Sequence, residues 1–339
     1  MRDNVFRLAD YAPMAAFRLT REVAQTSVWM GVALVLVLFW GTGTFERTAA
    51  KPVARMATVP MNVEAAPPIN APALPRVAGG NVGLQLYSLR HEFEREGVIK
   101  TLDRIQAMGF RYIEGGGTYG LTPQTYKAEL DRRGLQMVSM MTSYDNLRFK
   151  LSDVIASAKF YGVQYLGTAW IPHEGAFSEA KAREAALVFN QAGAACKAAG
   201  LKFFYHIHGF EFQPTPNETK DGTLFDLMLR ECKPALVNFE LDVFWATHGG
   251  QNAAQMLRKN PSRFLLTHLK DLRKDVKGDL TGKAPDDTSV VLGKGQVNWP
   301  DVLRAAKRAR IKWHFIEAEE LEAAANIPQS LAYLKGLKL

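Results

Sequence analysis

Residues 198–208 read AAGLKFFYHIH, and this stretch holds the pattern that decides the fold. A helical segment ends at Gly200, and an apolar, β-rich run carrying two histidines follows. Glycine adopts a positive φ without steric cost, so this position predicts a left-handed helix C-terminal cap followed by a strand. The same sequence of helix end, glycine and strand recurs, which predicts a repeating βα unit. The other copies are residues 107–114 (AMGFRYIE), 132–141 (RRGLQMVSMM) and 160–169 (FYGVQYLGTA).

Further apolar runs at residues 82–89, 235–244, 263–272 and 311–319 bring the predicted strands to eight. Helical segments with apolar residues at three- and four-residue spacing separate them. Eight βα units in about 260 residues are typical of a (βα)8 TIM barrel. A doubly wound open sheet is the rival fold, but it would require a glycine-rich phosphate loop after the first strand, and the sequence has none there.

Side chains able to bind a metal stand at the ends of four predicted strands. They are His206, with His208 two residues later, Asp242, His268 and Glu317. A parallel barrel gathers these strand ends at one mouth, which predicts a single divalent-cation site built from distant segments. Two imidazoles and two carboxylates favour Mn²⁺, Fe²⁺, Co²⁺ or Zn²⁺ over Mg²⁺ or Ca²⁺. An enzyme is therefore expected.

The N-terminal part of the chain differs from the rest. Residues 1–27 precede an uncharged apolar run at 28–45, which begins VWMGVALVLVLFW and is long enough for a transmembrane helix. A signal peptide cleaved near residue 50 is the alternative. The Pro- and Ala-rich residues 46–80 predict a flexible linker, followed by the barrel domain at 81–339. In either case we expect a membrane-anchored or exported, periplasmic domain.

Charge gives little support for a nucleic-acid partner. The net charge is +8, but the basic residues are interleaved with 34 acidic ones and form no basic run. We therefore expect a small-molecule sugar substrate and no nucleic acid, while oligomerisation stays open.

The motifs YHIHGFEF (205–212), FELDVFWA (239–246), THLKDL (267–272), VLGKGQVNW (291–299) and HFIEAE (314–319) carry a family resemblance. With them, residues 81–339 resemble the sugar phosphate isomerase/epimerase family of xylose isomerase-like TIM barrels. The resemblance implies one divalent metal held from the fifth to eighth strands, at His206, Asp242, His268 and Glu317. Many relatives have Glu where His206 stands, so His208 or Glu211 is the alternative ligand, with His206 orienting it.

Other residues near the predicted mouth are candidates for binding substrate or moving protons. Glu114 follows the second strand and is expected to bind sugar hydroxyls, while Trp245 stacks on a sugar face or belongs to the core. Lys270 faces the same side as His268 and would neutralise an enediolate, or form a buried pair with Asp271 or Glu240. Glu211 is a second acid/base candidate.

The expected reaction is metal-dependent isomerisation or epimerisation of a keto-sugar through an enediolate, with Glu317 as the base. Epimerisation usually needs a second carboxylate, and His206 occupies the position where relatives carry it. The alternative is therefore a keto-glycoside or inosose lyase that uses one base and an acid such as His208 or Glu211. A non-catalytic, membrane-tethered sugar-binding module is a third interpretation. An exported enzyme fits unphosphorylated substrates better than sugar phosphates.

Overall fold

A closed barrel of eight parallel strands forms the centre of the protein. The computed structural model describes residue 74, residues 76–215 and residues 222–339. Each barrel strand pairs in parallel with its neighbours in the chain, and the last closes on the first. The predicted (βα)8 fold is confirmed. The barrel strands are β1 Asn81–Gln85, β2 Tyr112–Gly115, β3 Gln136–Met141, β4 Tyr165–Thr168, β5 Lys202–His206, β6 Val237–Asp242, β7 Phe264–Leu269 and β10 Trp313–Ile316; β8 Asp271–Leu272 and β9 Ser289–Val290 form a separate antiparallel pair.

Helices return the chain from the end of one strand to the start of the next. The amphipathic segments predicted from the sequence are helical, and α5 ends directly before Gly162, the glycine of the predicted cap. The helices are α1 Arg90–Glu96, α2 Val98–Ala107, α3 Pro123–Arg132, α4 Tyr144–Phe149, α5 Leu151–Tyr161, α6 Glu179–Ala198, α7 Leu224–Glu231, α8 Val243–His248, α9 Ala253–Lys259, α10 Trp299–Ala309 and α11 Ala323–Gly336.

The repeated glycine has the backbone conformation that the pattern predicts. Gly109, Gly134, Gly162 and Gly200 have φ values of 89°, 62°, 71° and 81°. At Gly162 the residue is the left-handed C-cap of α5, and its N–H bonds back to the carbonyl groups of Ala158 and Lys159. Side chains with a Cβ rarely adopt this conformation, so the glycine ends the helix and releases the chain into the next strand.

Strand β6 ends earlier than the apolar pattern indicates. The run from residue 235 to 244 predicts one strand, but the structure ends it at Asp242 and begins helix α8 at Val243. The Asp242 side chain accepts a hydrogen bond from the backbone N–H of Trp245 at 2.9 Å, which caps the first turn of the helix. This strand-to-helix junction places Asp242 at the mouth.

The barrel interior below the mouth is apolar and closed at its base. Phe204, Leu266, Trp313 and Phe315 are among the buried residues that fill it. Beneath them, residues 77–80 make a tight turn with hydrogen bonds in both directions between Val77 and Gly80. Val77 and Ala78 are buried. The predicted linker extends to residue 80, but these residues belong to the packed domain.

The N-terminal predictions concern residues that the structure does not describe. The segment 1–27, the transmembrane helix or signal segment at 28–45 and the linker up to residue 73 all lie outside the described residues. Among the residues that are described, no helix is both long enough and apolar enough to span a bilayer.

Candidate active site

The four predicted metal ligands meet at the carboxyl ends of β5, β6, β7 and β10. His206 Nε2 lies 3.9 Å from Asp242 Oδ2, and His268 Nδ1 lies 3.7 Å from the same oxygen. His268 Nδ1 is also 3.1 Å from Glu317 Oε2. His206, Asp242 and His268 place one ligand atom each within 4.8 Å of one another, which is a spacing that can hold a metal ion. Residues separated by more than a hundred positions therefore form one site.

The two oxygens of Asp242 have different environments. Oδ1 caps helix α8, whereas Oδ2 is buried and has no hydrogen-bond partner within the described part of the chain. A buried carboxylate oxygen without a partner is costly, and a cation between His206, His268 and Glu317 would remove that cost. The donor set of two nitrogens and two carboxylates fits a divalent transition metal or Zn²⁺.

Buried charge around His268 also fits a cation. Burial alone would lower the pKa of His268, but the nearby carboxylates, Glu240 and Glu317 first among them, raise that pKa well above its ordinary value. His206 is different, because burial and the two neighbouring imidazoles hold its pKa well below the ordinary value. The carboxylates thus favour positive charge at His268, while His206 offers a neutral nitrogen.

Glu114 does not have the role expected from its position after the second strand. Its side chain is fully buried and does not line the cavity. It accepts hydrogen bonds from Gln85 Nε2 at 2.8 Å and Ser139 Oγ at 2.5 Å, and lies 2.6 Å from His268 Nε2. These contacts leave it supporting His268 below the mouth, away from the space where a sugar hydroxyl would lie.

Glu240 is a candidate functional residue that was not among those predicted at the strand ends. Its Oε2 lies 3.1 Å from His206 Nδ1 and 3.2 Å from His268 Nε2. Strand alternation was the available signal, because Glu240 and Asp242 are two residues apart on β6 and point to the same face.

Lys270 pairs with different carboxylates from those expected. Neither Asp271 nor Glu240 is its partner; its Nζ lies 2.6 Å from Glu319 Oε2 and 3.8 Å from Glu317 Oε2. Asp271 instead accepts hydrogen bonds from the backbone of residues 293–297 and from Trp299 Nε1. Burial opposes the charge of Lys270, but Glu319 and Glu317 raise its pKa above the ordinary value. The cation is therefore kept beside the candidate base.

A cavity opens over the ligands at the barrel mouth, and its empty space is about 520 Å³ when the part open to solvent is included. His208 faces it, and its Nδ1 lies 3.0 Å from the carbonyl oxygen of Ala169. A carbonyl only accepts, so Nδ1 carries the proton and Nε2 carries the lone pair. Burial lowers the pKa of His208 to about 3, which keeps the ring neutral. The cavity lining is Gln85, Tyr87, Met141, Thr142, Ala169, His206, His208, Trp245, His268, Glu317 and Glu319.

The remaining two predicted residues lie in contrasting places. Trp245 lines the cavity, although only 3% of it is exposed, and its ring centroid is 4.7 Å from that of His208. Glu211 is buried and is not among the cavity-lining residues. It accepts hydrogen bonds from the Tyr205 hydroxyl and from the backbone N–H of His208. The structure thus brings Trp245 to the cavity and places Glu211 behind the loop that carries His208.

The barrel and its mouth define a class of protein: parallel (βα)8 barrels that gather histidine and carboxylate side chains at the strand ends. The family model of the xylose isomerase-like TIM barrel matches residues 102–337. The chain belongs to the xylose isomerase-like TIM barrel family.

The proteins similar to this chain include a dehydratase and an isomerase/epimerase. An inosose dehydratase of Geobacillus kaustophilus is 23% identical over 257 residues, which cover 67% of this chain and 82% of the relative. A sugar phosphate isomerase/epimerase of Parabacteroides distasonis has a crystal structure that is 26% identical, with a TM-score of 0.62, covering 78% of this chain and 97% of that one. The family is enzymatic, and the similar proteins differ in the reaction for which they are named.

A second solved structure bears on the metal. The IOLI protein, solved with a bound zinc atom, has a TM-score of 0.59 and 14% identity, covering 75% of this chain and 96% of that one. The likeness to it shows a shared fold. Divalent metal is therefore found in a protein of this fold, and here His/Asp/Glu groups able to hold one stand at the mouth.

Proposed function

We propose that this protein is a metal-dependent lyase that eliminates water or an alcohol from an unphosphorylated keto-sugar or keto-cyclitol. One observation carries the proposal: the carboxylates lining the cavity, Glu317 and Glu319, both come from the segment that follows β10. The wall formed after β5 and β6 presents His208 and Trp245 instead. Acid–base carboxylates on one wall suit removal and return of a proton on the same face of the substrate.

Glu317 and Glu319 carry the proton transfers of this elimination. A bound divalent metal would polarise the substrate carbonyl and so acidify the neighbouring C–H bond. Glu317 takes that proton. The C–H electron pair becomes the new C=C bond, the C–O bond on the next carbon breaks, and its electrons leave with the oxygen. The departing oxygen takes a proton from Glu317 or Glu319, the two carboxyl groups on this wall, and leaves as water or alcohol.

Neighbouring groups keep the base ready and the substrate oriented. Burial alone would raise the pKa of Glu317, but Lys270 and His268 hold that pKa well below its ordinary value, so the carboxylate is ionised. His208 is neutral with its lone pair on Nε2, which suits it to accept a hydrogen bond from a substrate hydroxyl. The Trp245 ring beside it offers an apolar face to the sugar.

The inosose dehydratase relatives favour elimination, while the Parabacteroides isomerase/epimerase likeness keeps the expected isomerisation as the second candidate. Both reactions begin with proton removal beside a carbonyl. They differ in the second step, because elimination loses a substituent, whereas isomerisation or epimerisation returns the proton to carbon.

The test uses the purified full chain loaded in turn with Mn²⁺, Co²⁺, Fe²⁺ or Zn²⁺. An inosose, free keto-sugars and a keto-glycoside are incubated with it in deuterated water, and the products are followed by NMR and mass spectrometry. We expect loss of water or alcohol, and a 10²- to 10⁴-fold slower reaction for Glu317→Gln at saturating metal. The control is Glu129→Gln, which changes a buried carboxylate on α3 that pairs with Arg133, and it should match the wild type.

Other outcomes would overturn the proposal. Solvent deuterium in recovered or isomerised sugar, without loss of a substituent, would identify an isomerase or epimerase. Stoichiometric binding of sugar with no turnover by any metal form would identify a binding module.

We also propose that residues 28–45 anchor the chain in a membrane, with the barrel on the periplasmic side. The support is the uncharged run from Val28 to Trp40 and the Pro- and Ala-rich segment after it. The full chain produced in a Gram-negative bacterium should sediment with membranes after a carbonate wash, and its barrel should be cut by protease added to spheroplasts. Recovery in the soluble cytoplasmic fraction would contradict this.

A further inference from the structure

Each ring of the two histidine ligands has one nitrogen facing the other metal ligands and one facing a buried carboxylate. In His206, Nε2 faces Asp242 Oδ2 at 3.9 Å, and Nδ1 lies 3.1 Å from Glu240 Oε2. In His268 the two nitrogens are used the other way round. Its Nδ1 faces Glu317 and Asp242, and its Nε2 lies 2.6 Å from Glu114 Oε1.

The carboxylates behind the rings are themselves held in place. Glu114 accepts hydrogen bonds from Gln85 and Ser139, which come from the two neighbouring strands β1 and β3. Glu240 lies on β6, two residues before Asp242, and its side chain is fully buried. Its Oε2 reaches both rings, at 3.1 Å from His206 Nδ1 and 3.2 Å from His268 Nε2. Glu114 is thus held by hydrogen bonds from two strands, and Glu240 is fully buried against both rings.

We propose that Glu240 and Glu114 are positioning residues that assign opposite ring nitrogens to the metal. A neutral imidazole whose lone pair binds a metal carries its proton on the other ring nitrogen. In His206 that nitrogen is Nδ1, which points at Glu240 and leaves Nε2 for the metal. In His268 it is Nε2, which points at Glu114 and leaves Nδ1. A carboxylate behind a metal-binding imidazole also fixes the ring and makes it a stronger ligand.

This arrangement gives the unusual first ligand a structural support. His206 is a neutral ligand, and the Glu240 carboxyl group lies directly behind it, with Oε2 3.1 Å from Nδ1. This proposal rests on the metal centre of the proposed function. It concerns metal binding alone and needs no particular reaction.

The same residues also form a second possible metal site, which experiment has to distinguish from the positioning role. Glu114, Glu240 and His268 also place ligand atoms within 4.8 Å of one another, so they form a second group able to hold an ion. A metal there would need the lone pair of His268 Nε2. The proposal instead puts a proton on that nitrogen, so it predicts one bound metal per chain.

The first test reads the ring nitrogens directly in the wild-type full chain. With ¹⁵N-labelled histidine and Zn²⁺, the nitrogen shifts should show Nε2 coordination for His206 and Nδ1 coordination for His268. Titration with Zn²⁺ should saturate at one equivalent. Coordination through His268 Nε2, through His206 Nδ1, or a second tight equivalent would each overturn the proposal.

The second test measures affinity for Zn²⁺ and Mn²⁺ by calorimetry. We expect Glu240→Gln and Glu114→Gln to bind about 10- to 100-fold more weakly. Glu129→Gln, which changes a buried carboxylate far from the mouth, should bind as the wild type does. Wild-type affinity in both site variants would overturn the proposal, and the NMR result decides if a variant fails to fold. No substrate is used, so an absent lyase activity leaves the outcome of both tests unchanged.

Discussion

Asp242 serves the fold and the candidate metal centre with different oxygens. Oδ1 accepts from Trp245 N–H and caps helix α8, while Oδ2 faces His206 and His268 without a hydrogen-bond partner of its own within the described residues. Asn has one carbonyl oxygen that can keep the cap but no negative charge to offer a metal. The Asp242→Asn substitution therefore separates the local structural role from metal binding.

Glu211 makes a pH-dependent contribution to stability. Burial raises its pKa to about 7 from 4.5, although hydrogen bonds from Tyr205 and the backbone oppose the rise. The folded protein thus holds this proton more tightly than the unfolded chain, and stability falls as pH rises through the interval between these values. The full interval corresponds to about 3 kcal/mol. Urea unfolding below, within and above the interval should show this loss in the wild type and not in Glu211→Gln; parallel curves for the two proteins would contradict it.

The residues at the strand ends were predictable, but their partners were not. A parallel barrel brings strand ends together whatever the loops do, so His206, Asp242, His268 and Glu317 followed from their positions alone. The partner of Lys270 depends on which carboxylate its flexible side chain reaches, and Glu319 lies at 2.6 Å. Sequence position alone does not show which carboxylate Lys270 contacts, because Glu317 and Glu319 are two residues apart and face the same side.

At the scale of elements, helix α6 depends on a glycine in its interior. A Cβ at Gly193 would clash with the backbone oxygen of Leu236, so the helix packs closer to the start of β6 than alanine would allow. Alanine favours a helix by about 1 kcal/mol over glycine. A backbone oxygen cannot rotate away, however, and overpacking typically costs about 1–3 kcal/mol.

We therefore expect Gly193→Ala to destabilise the protein by about 1 kcal/mol, despite the better helix propensity of alanine. Gly336→Ala is the matched control, because Gly336 is also helical and nothing lies within 4 Å of its added Cβ. It should be neutral or slightly stabilising. Urea unfolding of both variants measures the difference, and a stabilised Gly193→Ala protein would show that α6 can move outward.

Elements with strong periodicity were predictable, and short ones were not. Helix α5 and the glycine caps followed from the repeat, because several residues of the same pattern point to one answer. Strands β8 and β9 have two residues each, too few to show alternation. The first residues of helix α8 are apolar and so predict a strand, and only the cap at Asp242 reveals the change of direction.

On the scale of the whole molecule, the metal would join β5, β6, β7 and β10. A ligand that binds only the folded state stabilises it, by about 2.7 kcal/mol at a concentration one hundred times Kd. Thermal unfolding with Zn²⁺ or Mn²⁺ at that excess should show this gain, and a chelator should abolish it. Asp242→Asn should gain far less than the wild type. Equal gains in the two proteins would place the bound metal elsewhere.

The turn at residues 77–80 has a consequence for how the protein is handled at a surface. The chain reaches β1 at the base of the barrel, and the cavity opens at the opposite end. A bead, electrode or fusion partner joined ahead of Val77 is thus connected at the closed end. Attachment at this site therefore does not block the cavity opening through which solutes diffuse.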